Sequence, residues 1–316
     1  MRLLICMTVR AVVVVVITLL IWYVPSSSGF ANTRIVVLTS QEDGPYQEVL
    51  TGFRSALDQQ GIQAMFEVYA LRGDGSTMRQ GEQEIKAKGA QLLFTLGSLA
   101  TQGAVEHLAE FPILATLVLS ADELKQAPNA TAVVLEFPVE IELQWLHRIL
   151  PQQQTIGVLF NPKENQNRIT TATQVAHNLG LKLLAQEVKT PQELPHALDA
   201  LAQHADVLWG IADQTVFSPQ TAEPILLFSF RNHIPFAGLS MAWVKAGALY
   251  ALDRDYTDLG AQCGALALQI LHGTQAHTLP FAPPRKVTYA LNLRTANHMK
   301  IDISQPLIDG ARRIFR

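Results

Sequence analysis

The residues with types suited to chemistry are small and polar, and they stand directly after apolar runs. Ser40 follows RIVVLT at 34–39, and Gly97, Ser98 and Thr101 follow QLLFTL at 91–96. Asn161 and Asn165 follow TIGVLF at 155–160, Asp213 follows DVLWGIA at 206–212, and Ser240 and Trp243 follow 235–239. Apolar runs of this kind read as buried parallel strands, and an open parallel sheet binds ligands beyond the carboxyl ends of its strands. Gly97 permits a tight turn, and Ser98 can cap the helix that follows. The free N–H groups and the dipole of that helix favour an anionic group such as a carboxylate. The plainer reading of Ser98 is a cap that touches no ligand. Asp213 suits a ligand ammonium, and equally a helix cap or a rim ion pair. Trp243 suits stacking on a ligand, and equally the core.

Catalytic signatures are sparse. No HExxH and no Cys/His cluster occur, and the nine His residues are scattered, so neither a metal site nor a cofactor is expected. Gly73-x-Gly75 lacks the third glycine of a dinucleotide fingerprint. Gly238-Leu239-Ser240-Met241-Ala242 approximates a nucleophile elbow, with Asp253, Asp255 and His272 downstream. Ala242 stands where that motif has glycine, and no helix is expected between Ser240 and Gly247. A secreted serine hydrolase using Ser240 is therefore a minor alternative, and the expectation is a protein that is not an enzyme.

These turns need elements to hold them. Strand and helix patterns alternate along the chain and then restart near residue 155. The first series has strands at 34–39, 63–71, 91–96, 113–119 and 132–137. The second has them at 155–160, 182–188, 206–212, 235–239, 248–253 and 286–292, with a last helix at 306–315. Two successive β-α series predict an α/β fold of two Rossmann-like lobes with parallel sheets. The turn at Arg72, Gly73 and Asp74 is a further strand-end candidate.

The chain begins with Arg2 and Arg10, an apolar stretch at 11–24, and small residues at Gly29 and Ala31. That order predicts a signal peptide at 1–31 and a periplasmic protein, with a retained anchor as the rival. Removing 1–31 leaves 285 residues and takes the net charge from −3 to −5, which does not suit nucleic acid. Cys263 is then the one remaining cysteine, expected to be a buried hydrophobe.

Several segments carry a family likeness: Leu96-Gly97-Ser98-Leu99-Ala100-Thr101-Gln102, then Ile156-Gly157-Val158-Leu159-Phe160-Asn161-Pro162. Gly247-Ala248 with Asp258-Leu259-Gly260, Leu271-His272-Gly273, and the spacing from Asn292-Leu293 to Pro306-Leu307 complete it. The chain resembles ABC-transporter substrate-binding proteins of the group with tryptophan- and tyrosine-binding members. The resemblance implies a type I periplasmic-binding-protein architecture. Its lobes would be 32–138 with 253–284, and 139–252 with 285–316. It implies a small-molecule ligand, an ABC permease as partner and a monomeric state; a membrane-tethered sensor is the alternative. By position it implies ligand contacts at Ser40, Ser98, Thr101, Asn161, Asn165, Asp213 and Ser240. The chain departs from the pattern at Asn165-Gln166-Asn167 and at Ser240-Met241-Ala242-Trp243.

Overall fold

Ile35, Val36, Val37 and Leu38 are all buried, as a strand must be when helices cover both faces of its sheet. They form β1 (Thr33–Thr39), inside a parallel sheet with β2 (Ala64–Ala70), β3 (Leu92–Leu96), β4 (Ile113–Thr116) and β5 (Ala130–Val133). The spatial order is β2-β1-β3-β4-β5, so the winding reverses between β1 and β3. The structure, a computed structural model, describes residues 33–42, 44–71, 76–125 and 127–316. The signal-peptide expectation at 1–31 and the turn at Arg72, Gly73 and Asp74 lie outside the described residues.

The second sheet repeats the same winding. β6 (Thr155–Phe160), β7 (Lys182–Glu187), β8 (Val207–Trp209), β9 (Phe236–Gly238) and β10 (Tyr250–Arg254) run parallel in the order β7-β6-β8-β9-β10. Beyond β10 come β11 (Val287–Asn292), antiparallel to it, and β12 (Arg313–Phe315). The first sheet is flanked by α1 (Pro45–Gln59), α2 (Ser76–Lys88) and α3 (Ser98–His107). The second carries α4 (Val139–Ile149), α5 (Pro162–Asn178), α6 (Leu194–Leu201), α7 (Ala222–Asn232) and α8 (Met241–Ala246). After β10 follow α9 (Tyr256–Leu271), α10 (Leu293–His298) and α11 (Gln305–Asp309).

The chain passes between the two sheets three times: after β5, after β10, and before β11. After the second passage α9 packs on α1 with backbones nearly touching. A Cβ on Gly260 would lie 2.0 Å from the Val49 carbonyl oxygen, and one on Gly52 would lie 1.9 Å from that of Thr257. Cys263 on α9 is fully buried beside Phe53 and Phe94, and burial pushes its thiol up to about 12. Phe53 and Phe94 stack at 3.9 Å in the same core.

Two sequence expectations need correction. The helix expected at 306–315 ends at Asp309, and Arg313–Phe315 forms β12. The Arg312 N–H donates to the Tyr289 carbonyl at 2.9 Å, which draws the chain onto β11. A short helix, α8, does follow Ser240, and Gly247 closes it at φ 134°. The second passage leaves β10 after Arg254, and Asp253 and Arg254 pair with Thr288 and Val287 of β11.

Candidate ligand-binding cleft

The first sheet presents the turns after β1 and β3 side by side. Gly97 has φ 88°, and a Cβ there would lie 2.8 Å from both the Ser40 and Tyr46 hydroxyl oxygens. Glycine therefore lets the two turns meet. The Ala100 N–H donates to Ser40 Oγ at 3.0 Å. Ser98 is exposed at the start of α3, as is Leu99. Thr101 lies elsewhere. It is fully buried, with its hydroxyl 2.9 Å from that of Thr95, where the pair ties α3 to β3.

In the second sheet the predicted residues after β6 and β8 converge on one another. Asp213 is only 5% exposed. Its Oδ1 accepts from the Thr215 and Val216 N–H groups at 3.0 and 2.9 Å. Its Oδ2 accepts from the Asn161 N–H at 2.6 Å and Asn165 Nδ2 at 2.9 Å. Asn161 also caps α5 by accepting from the Lys163 N–H, and it donates to Thr215 Oγ1 at 2.7 Å. Asn161, Asn165 and Asp213 thus tie two strand ends together, and each Asp213 oxygen accepts two hydrogen bonds within this network. Ser240 stands exposed at the head of α8. Trp243 packs edge-on to Phe236 at 5.5 Å and Phe217 at 5.8 Å, within the second core. Two of the residues proposed to assist Ser240 serve elsewhere. Asp253 accepts from the Tyr256 hydroxyl, and Asp255 caps α9 and pairs with Lys286.

A cavity of about 170 Å³ opens where the passages between the sheets meet the ends of β8, β9 and β10. Leu119, Phe137, Trp209 and Leu252 supply apolar wall. Four charged residues share it: Glu136 on the first passage, Glu142 on α4, Arg168 on α5 and Arg254 at the end of β10. Arg168 binds Glu136 through Nη1 and Glu142 through Nη2, the latter at 2.7 Å. Its guanidinium lies 5.7 Å from the Trp209 ring. Burial raises the Glu142 carboxyl above the usual carboxylate range, against the opposing pull of Arg168. Arg254 donates from Nε to the Leu135 carbonyl at 2.7 Å and lies 4.6 Å above the Phe137 ring. Burial lowers its pKa from the ordinary arginine value.

Sequence reasoning passed over these four residues. One signal was available: Asn161, Asn165 and Arg168 recur at intervals of four and three, the spacing of one helix face. Arg254 had a weaker one, as a cation at the end of the strand Tyr250–Arg254.

A model of the family described as "ABC transporter substrate binding protein" matches residues 34–314. The chain belongs to this family. It is a family of extracytoplasmic solute-binding proteins and not of enzymes, and the likeness seen in the sequence motifs holds. Among curated relatives, the tyrosine-binding protein of Clostridioides difficile is 22% identical over 243 residues, covering 72% of this chain and 70% of that one. Two solved structures share the fold. The ligand-free, open structure of a substrate binding protein with adhesive properties from Clostridium difficile has TM-score 0.73 and 19% identity, with 90% and 99% of the two chains covered. An ABC domain in complex with L-Trp from Streptococcus pneumonia has TM-score 0.59 and 19% identity, covering 90% and 100%. The family member described here therefore has the two-lobed periplasmic-binding-protein fold. Among its described residues no helix is long and apolar enough to cross a membrane.

Proposed function

We propose that this chain is an extracytoplasmic receptor that captures a small, amino-acid-like solute between its lobes and hands it to an ABC permease. The cavity at the passages carries this reading. It joins aromatic and aliphatic wall to two acids and two arginines, a balance suited to a ligand whose own charges cancel. A cavity of about 150 Å³ admits a benzene-sized ring, so the space here suits an aromatic body. The names of the relatives, one tyrosine-binding and one holding L-Trp, support the same class.

In this reading the lobes are 32–138 with 253–284 and 139–252 with 285–316, adjusted to leave β10 whole. They turn about the three passages, and a ligand favours the closed state through contacts made only there. Leu99 at the head of α3 and Leu119 after β4 are 43% and 48% exposed, apolar area that closure would cover. Residues 1–31 direct export, and the mature chain starts at residue 32. Thermal-shift screening of the exported protein against the common amino acids tests the receptor. A ligand at 100 times its Kd should stabilise by ~2.7 kcal/mol, and a melting temperature unmoved by the whole set would end this reading.

A further inference from the structure

The charges in the cavity are not evenly matched. Arg168 engages both acids, Glu136 and Glu142. Arg254 forms an ion pair with neither, although both acids lie near enough to favour its charge. Its Nε is committed to the Leu135 carbonyl and its face to Phe137. Among the described residues, its two Nη groups make no hydrogen bond and no carboxylate lies within ion-pair distance. A guanidinium held by Nε and by a ring beneath it, with N–H groups to spare, matches the two oxygens of a carboxylate. We propose that Arg254 is the carboxylate-binding residue of the cleft, so that the solute carries a free carboxylate and places it against the passages between the lobes.

This assignment rests on the solute-receptor reading above and sharpens it. Burial disfavours the charge on Arg254, a cost that an incoming anion offsets. The competing anion site, the head of α3, is partly spoken for: Ser40 takes the Ala100 N–H, and Thr101 faces Thr95. The location also couples binding to movement. Arg254 opens one passage and grips Leu135 on another, so a carboxylate held there sits where the lobes turn.

The test compares the twenty common L-amino acids with their primary amides, by thermal shift and calorimetry, on wild type, Arg254→Gln and Arg254→Lys. The amides keep size and shape but lose the anionic charge. We expect the acid that binds best to outbind its amide at least tenfold on wild type. Arg254→Gln should erase that preference with the fold intact by circular dichroism, and Arg254→Lys should restore part of it. Equal binding of acid and amide to wild type overturns the assignment while the receptor reading stands. So does tight binding of the acid to a folded Arg254→Gln. If none of the acids or amides binds wild type, the receptor reading falls and the assignment falls with it.

Discussion

The turn network after β6 and β8 and the charged cavity at the passages lie at the same end of the second sheet, yet they use polar atoms in opposite ways. In the turns, Asp213 meets four donors and Asn161 bonds through its backbone and its side chain. In the cavity, two arginines face two acids, and one arginine takes both. A saturated buried network fixes geometry, while an unsaturated one retains capacity for a ligand. Polarity at a strand end therefore does not by itself identify a contact residue. What identifies one is a donor or acceptor that the protein leaves without a partner.

The largest effect should follow from the saturated side. Asp213→Ala strands the Asn161, Thr215 and Val216 N–H groups and the Asn165 amide. Unpartnered buried donors cost ~1–3 kcal/mol each when they cannot reach water, so a loss of about 3 kcal/mol in urea unfolding is expected, with little change in solute affinity for the folded fraction. A stable Asp213→Ala protein with strongly weakened binding would break the comparison. Arg168→Met comes next. It leaves Glu136 and Glu142 without their ion-pair partner at side-chain exposures of 34% and 17%. Losing one partner of a fully buried pair costs ~3–5 kcal/mol, and the partial exposure here reduces that to about 2 kcal/mol. A loss below half a kilocalorie would mean that the cavity is wet enough to solvate its own charges.

Much of the fold was legible because buried parallel strands spell continuous apolar runs, as in Ile35 to Leu38 and Ile156 to Phe160. The β12 strand was not, because Arg313–Phe315 is set by its pairing with β11 and carries no pattern of its own. The site was half legible. Strand-end logic found the turns but could not separate Ser98, which faces solvent, from Thr101, which faces Thr95. Arg168 and Arg254 lie about 86 residues apart in sequence and line one cavity only because α5 and β10 both border it. No local spacing encodes that meeting.

Smaller effects sharpen the contrast further. Leu119 is half exposed in the cavity wall, so Leu119→Ser should leave unfolding stability within ~0.5 kcal/mol, as ordinary surface changes do. If closure buries the remaining half of the leucine, the loss in affinity should be about 1 kcal/mol, or several-fold by calorimetry. An unchanged affinity would place Leu119 outside the closed interface.

The subtlest prediction concerns Glu142. Burial raises its carboxyl pKa in the folded state, with Arg168 pulling the other way. A raised folded pKa means that the folded protein holds this proton more tightly than the unfolded chain does. The stability it contributes is therefore fully present below the ordinary carboxylate range and is lost as pH rises through the folded value. Glu142→Gln cannot titrate and should remove that dependence. Urea unfolding of both proteins between about pH 4 and pH 7 should show the wild type losing ground to the variant as pH rises. The opposite slope would show that Arg168 outweighs burial at Glu142. The ion pair would then be as well satisfied as Asp213 is in its turn, and Arg254 alone would remain to set the cavity apart from that saturated network.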